Sequence, residues 1–157
     1  MTTKDYAEVS IKPPILFVGA LVLGYLLTKY FRIGPGFARP DALGLTVGLL
    51  IIVAGFVLAF LAIRRFRLAA TSVVPGQPST ELVTAGPYRV TRNPIYVGFV
   101  LVYFGVGIIL TSIWILLLLV PVLVILQRYV VLPEEEYLER KFGDAYRDYA
   151  ERVPRWL

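Results

Sequence analysis

The sequence predicts an all-α membrane protein. It reads as a single integral-membrane domain, 1–157, with about four transmembrane helices, a helical hairpin made by the third and fourth, and a C-terminal amphipathic helical element. Three observations predict this. Hydrophobic residues make up 57% of the 157, and the mean hydropathy is +0.71. A soluble globule of this size could not hide that surplus, because small domains leave much of their surface wet. Apolar runs occupy 15–31, 43–63, 94–111 and 113–131, each about 16–21 apolar residues and so close to the ~20 that span a hydrocarbon core. From Glu134 onward the chain becomes strongly charged while keeping apolar residues at helical spacing.

The first run follows Pro13-Pro14. Its leader carries Asp5 and Glu8, and no small-residue cleavage pattern follows, so it is expected to be a retained span rather than a removed signal. The second run ends at Arg64-Arg65-Phe66-Arg67. Gly44, Gly48 and Gly55 share one face of it, and Gly98 and Gly105 do the same on the third. Small residues at this spacing predict close helix packing within the monomer in preference to a dimer seam. Thr111-Ser112-Ile113 alone separates the third run from the fourth, which predicts a tight hairpin whose outer ends return to one side. The fourth run ends before Pro133. Four spans place the N-terminus, the middle loop and the C-terminus together. Arg64, Arg65, Arg67, Arg89 and Arg92 against Glu81 make that side cytoplasmic, while Lys29, Arg32 and Arg39 lie opposite.

In the C-terminal element, 134–157, Leu138, Phe142, Ala145, Tyr149 and Val153 form the expected apolar stripe. Gly143 is expected to close one helix as a left-handed cap and Asp144 to open the next as an N-cap. Glu136/Arg140 and Asp148/Arg152 are candidate i,i+4 pairs. Such an element lies on the membrane surface or folds back on the bundle.

Cysteine and histidine are both absent. This excludes a disulfide, a Cys or His metal site, a cysteine nucleophile and an imidazole base, and no metal is expected. The net charge of +5 does not point to nucleic acid, because the basic residues flank apolar spans and suit an anionic membrane leaflet.

Chemistry concentrates in the middle loop, 71–93, and the residues it leads into. The loop is too long for a plain connection, yet Val73, Val74, Leu82, Val83 and Tyr88 give it apolar anchors alongside Pro75, Gly76 and Pro78, so a shaped, ligand-facing loop is expected. Asn93-Pro94 suits a helix start, with Asn accepting backbone N–H bonds and Pro in the first turn. Capping does not explain Tyr88, Arg92 and Tyr96 crowded around it, where the helix N-terminus would also attract an anionic group. Glu134, Glu135 and Glu136 emerge on the same side, and one inward carboxylate there could bind ribose hydroxyls or an ammonium group. Arg128, about one turn inside the fourth run, is a further candidate because ionisable residues in spans are costly, though snorkelling to the interface also accounts for it.

The stretches "TELVTAGPYRVTRNPIYVG" and "EEEYLERKFGDAYRDYAERVPRWL", separated by an apolar hairpin, resemble the integral-membrane methyltransferases of the isoprenylcysteine carboxyl methyltransferase and phospholipid methyltransferase superfamily. The family pattern is Leu-Val-x-x-Gly-x-Tyr-x-x-x-Arg-His-Pro-x-Tyr, a hairpin, then Glu-Glu and Phe-Gly-x-x-Tyr. The resemblance covers the C-terminal half, and the first half matches only as generic spans. It implies S-adenosylmethionine as cofactor, in a pocket formed by the loop, the start of the third span and the C-terminal element. Carried over by position, Thr80, Glu81, Leu82 and Val83 would line that pocket. Tyr88, Asn93, Pro94, Ile95 and Tyr96 would hold the nucleoside and amino-acid parts, and Glu134 would accept hydrogen bonds. The implied catalytic set is Asn93, Glu134 and Arg128. Two positions depart from the family: Asn93 stands where its histidine is usual, and Val130 stands at the strict position of a substrate-contacting arginine, with Arg128 nearest.

The expected function is S-adenosylmethionine-dependent methyl transfer at the cytoplasmic side of a lipid bilayer. The acceptor would be apolar or amphipathic: a carboxylate, an amine or a thiol. Without histidine, the candidate bases are Glu134, Glu135, Tyr88 and Tyr96. A non-catalytic membrane scaffold is the alternative. Gly105-Val-Gly107 and Gly34-Pro-Gly36 lack the strand and helix context of a soluble dinucleotide fingerprint.

Overall fold

The computed structural model describes residues 5–7, 9–31, 33–74 and 77–157; Glu8, Arg32, Pro75 and Gly76, invoked above, lie outside the described residues. The described residues are helical without strands. Helix α1 spans Pro13–Tyr30, α2 Ala42–Leu68, α3 Pro94–Ile109 and α4 Ile113–Leu126. A π turn, Gln127–Val131, leads into α5, Leu132–Phe142, and α6 spans Asp144–Arg152. Three helices are long and apolar enough to cross a membrane: α1, α2 and the continuous Ile113–Phe142, with α3 a shorter apolar helix beside them. Their outer faces carry exposed Val18, Val22, Leu50, Phe56, Phe60 and Val120, a surface suited to lipid rather than water.

Each helix starts for a local reason. Pro13 and Pro14 occupy the first positions of α1, where a missing N–H costs nothing. Asp41 caps α2 by accepting from the Gly44 amide at 2.7 Å. Ser112 caps α4 by accepting from the Ile115 amide, and its hydroxyl also meets that of Thr28 at 2.5 Å.

Helices α2 and α3 pack along a glycine seam. A Cβ on Gly98 would sit 2.7 Å from the Gly55 carbonyl oxygen, and one on Gly105 would sit 2.7 Å from that of Gly48. The two contacts are seven residues apart on each antiparallel helix, so the backbones touch twice, two turns apart. Gly44 is a correction: it belongs to the Asp41 cap, and a Cβ there would meet Asp41 Oδ1 instead of α3.

The molecule has two ends. At one, Thr111 donates to the Ala38 carbonyl and Trp114 Nε1 to the Phe31 carbonyl, tying the hairpin turn to the α1–α2 loop. At the other, the Tyr137 hydroxyl accepts from the Ser79 amide at 2.9 Å and donates to the Asp5 carbonyl at 3.2 Å. The N-terminal residues, the middle loop and α5 therefore meet opposite the hairpin.

Several local expectations are corrected. Pro133 does not stop the fourth apolar helix, which runs on to Phe142. Proline lacks an N–H and crowds the carbonyl four residues earlier; the wide π turn immediately before it relieves that conflict. Gly143 joins α5 to α6 at φ +56°, ψ −126°, a positive-φ conformation that favours glycine but is not the left-handed helical one. Asp144 is the first residue of α6 rather than its cap, and its carboxylate pairs with Arg147. Arg152 reaches the Asp148 carbonyl instead of the carboxylate. Among the described residues Glu136 and Arg140 form no ion pair, and Arg140 lies over the Tyr137 ring. One position of the expected stripe differs: Ala145 is exposed and Tyr146 takes the inward place, while Tyr149 and Val153 are buried as expected, clustered with Ala62 and Tyr88. The element thus folds back on the bundle.

Candidate functional site

Tyr88 enters the site from a short 3-10 turn, Gly86–Arg89. Gly86 begins it at φ +66°, and a Cβ there would lie 2.5 Å from Arg65 Nε, so both conformation and space call for glycine. Phe66 of α2 meets the Tyr88 ring edge-on at 5.5 Å, and the Tyr149 hydroxyl donates to the Tyr88 carbonyl at 2.8 Å. Tyr88 is thereby clamped between α2 and α6. Burial, with Tyr149 and Glu134 nearby, holds its phenol well above the ordinary tyrosine value. Burial likewise raises Tyr146 and Tyr149.

Tyr96, one turn into α3, donates its hydroxyl to Glu134, with both carboxylate oxygens at 2.9 Å. Glu134 keeps further lone pairs free to accept. Its neighbour Glu135 is committed elsewhere: Arg155 grips it through Nε at 2.9 Å and a terminal nitrogen at 2.6 Å, and Arg92 approaches at 3.2 Å.

The C-terminal segment after α6 straps this assembly. The Arg92 amide donates to the Pro154 carbonyl at 2.9 Å. The Thr91 hydroxyl and Asn93 Nδ2 both donate to the Arg155 carbonyl at 3.0 Å, and Trp156 Nε1 donates to Gln127 Oε1. Asn93 therefore holds the strap with its side chain and makes no capping bond to α3.

These elements enclose a cleft open on one side. Its cavity volume is about 120 Å³. Of the residues singled out from sequence, Glu81, Leu82, Val83, Tyr88, Asn93, Ile95, Tyr96 and Glu134 line it. Three do not. The Thr80 amide donates to the Thr71 hydroxyl and its own hydroxyl to the Ala70 carbonyl, so it pins the loop to the end of α2. Pro94 is wholly buried in the first turn of α3. Arg128 is exposed on the π turn, because Leu126 and Val130 take the inward positions and a residue between them faces away.

Sequence reasoning missed Phe66, Tyr137, Leu138 and Tyr146, which also line the cleft. Tyr146 carried one signal, since it belongs to the Phe-Gly-x-x-Tyr stretch. Arg155 carried none, because its partners are 20 and 62 residues away.

A family model described as phospholipid methyltransferase matches residues 43–145, about two thirds of the chain. The chain belongs to the phospholipid methyltransferase family. The matched segment contains both helices of the glycine seam, the loop bearing Tyr88, and Glu134; α1, most of α6 and the C-terminal strap lie outside it. A curated relative, an uncharacterized protein of Haemophilus influenzae, is 48% identical over 33 residues, 21% of this chain and 52% of that protein. The match thus spans about half of that relative's length.

Proposed function

We propose that this membrane methyltransferase uses S-adenosylmethionine, held in the cleft between Tyr88 and Glu134, to methylate an apolar or amphipathic acceptor. The observation that carries the reading is the convergence of these two residues, 46 positions apart in sequence (134 − 88), on one cleft at one end of the bundle. The residues present suit the donor. Glu134 offers acceptor oxygens for ribose hydroxyls or an ammonium group, Tyr88 offers a flat buried ring, and Leu82, Val83, Ile95 and Leu138 supply apolar wall. The donor supplies a methyl group on a sulfonium sulfur.

The chain's own contribution is positioning, which supplies up to ~7–11 kcal/mol when reacting groups are held in line. Glu135 is tied to two arginines, which leaves Glu134 as the carboxylate to serve as base for an amine or thiol acceptor. A carboxylate acceptor is already ionised at neutral pH and needs none. Arg64, Arg65, Arg67, Arg89 and Arg92 lie on the cleft side of the fold and favour the cytoplasmic face for it.

The test is to incubate purified protein with host lipid extract and deuteriomethyl-labelled S-adenosylmethionine, then survey lipids by mass spectrometry. A labelled lipid that disappears with Glu134→Ala supports the reading. Absence of label with intact, folded protein points to the scaffold alternative.

A further inference from the structure

The chain that precedes α1 forms part of the cleft wall. Ala7 is only 4% exposed and lines the cavity. Its footing is fixed. Val9 and Ile11 pack against the core cluster that holds Phe17 of α1, and the Val9 amide donates to the Ala7 carbonyl at 2.9 Å. On its other side Asp5 is tied to α5. Lys141 Nζ donates to Asp5 Oδ1 at 2.6 Å, and the Tyr137 hydroxyl donates to the Asp5 carbonyl at 3.2 Å. The same hydroxyl accepts from the amide of Ser79, another lining residue, at 2.9 Å. One phenol on α5 therefore holds two walls of the cleft, the N-terminal segment and the middle loop.

The N-terminal wall is the lightly held one. Tyr88 and Tyr149 bury whole rings in the site, whereas Ala7 contributes a single methyl group. The Asp5–Lys141 pair faces solvent, with side chains 63% and 25% exposed. Such a pair contributes little and is screened by salt. A segment anchored at its base by Val9 and Ile11, and at its tip by one exposed ion pair and one hydroxyl, opens far more easily than the helices around it. Neither Asp5 nor Lys141 lines the cleft, so each reaches a guest only through the segment. The matched family segment begins at residue 43, so this wall is not part of what the family model describes.

We infer that the segment around Asp5 and Ala7 is a closure over the cleft, latched to Tyr137 and Lys141, and that its opening admits and releases the guest. The identity of the guest rests on the proposed donor; the closure itself does not. The chain has no cysteine, so a single introduced thiol reports on one place. In Ala7→Cys a maleimide reaches the thiol only when the segment lifts. Modification should be at least about tenfold slower than that of Glu151→Cys, an exposed position on α6. Adding Lys141→Met to Ala7→Cys should speed it about twofold to fivefold. Salt at about 1 M should speed Ala7→Cys similarly and leave the Lys141→Met combination nearly unchanged. S-adenosylhomocysteine should slow modification in step with its occupancy, measured by calorimetry. Equal rates at positions 7 and 151 overturn the closure. So does slow modification that neither Lys141→Met nor salt alters, because the segment would then be a fixed wall. Bound S-adenosylhomocysteine that leaves the rate unchanged overturns the role in guest exchange. If S-adenosylhomocysteine does not bind at all, the donor reading has failed, and the maleimide rates still decide the closure.

Discussion

Gly98→Ala tests the packing that brings α3 to the cleft. The added methyl carbon would lie 2.7 Å from the Gly55 carbonyl oxygen and 2.9 Å from Ala59 Cβ, where ordinary contact begins at 3.4 Å. The helices must part locally by about 0.7 Å (3.4 − 2.7). Backbone cannot swing aside as a flexible side chain would, so strain and lost contacts cost about 1–3 kcal/mol. Alanine returns up to about 1 kcal/mol of helix propensity, leaving a net loss of up to about 2 kcal/mol with the full return. Small-residue contacts matter here because lipid chains compete with apolar side chains on equal terms. Gly19→Ala in α1 is the control: nothing lies within 4 Å of its Cβ position, so it should gain stability or stay level. The assay is thermal unfolding in one detergent. Gly98→Ala should melt below wild type and Gly19→Ala at or above it. Adding Gly55→Ala to Gly98→Ala should cost less than the sum, since both methyls open the same gap. If Gly98→Ala melts with Gly19→Ala, the close approach of α2 and α3 is wrong.

Other expectations concern the buried polar groups. The Tyr103 hydroxyl is fully buried in the α1–α3–α4 core with no partner among the described residues, so Tyr103→Phe should raise the melting temperature by relieving about 1–3 kcal/mol of unmet desolvation; a clear drop would mean the hydroxyl is bonded. Asn93→Leu should free the C-terminal strap from the start of α3, read as faster hydrogen exchange across 153–157, whereas Asn93→His should keep it docked, because an imidazole N–H can also donate to the Arg155 carbonyl. Arg155→Ala should cost about 1–3 kcal/mol, less than a wholly buried pair, because Arg92 remains beside Glu135; an unchanged melting temperature would show that the strap carries no weight.

The four apolar helices and the hairpin were legible because lipid-facing and packed positions alike are apolar, which leaves long uninterrupted runs. The Asn93-Pro94 start of α3 was legible from proline's fixed φ and missing N–H. The run through Pro133 was not, since a π turn depends on how Leu126, Val130 and Val131 pack, and no local pattern encodes it. Tyr88 and Glu134 could be singled out because each stands in a dense polar cluster at a span boundary. The strap could not. Arg155 reads as a solvated tail charge, and its role comes from Glu135 and Asn93, which only the fold brings near. Arg128 drew attention as a charge at a span end, where its side chain escapes outward to the interface.

The most direct measurement of the central claim is calorimetric binding of S-adenosylhomocysteine to purified protein in detergent, repeated with Tyr88→Ala and Glu134→Ala. Saturable binding by wild type, weakened by both substitutions while the variants remain folded, is the predicted result. Binding that survives both substitutions, or none to the intact protein, would contradict a donor site between Tyr88 and Glu134.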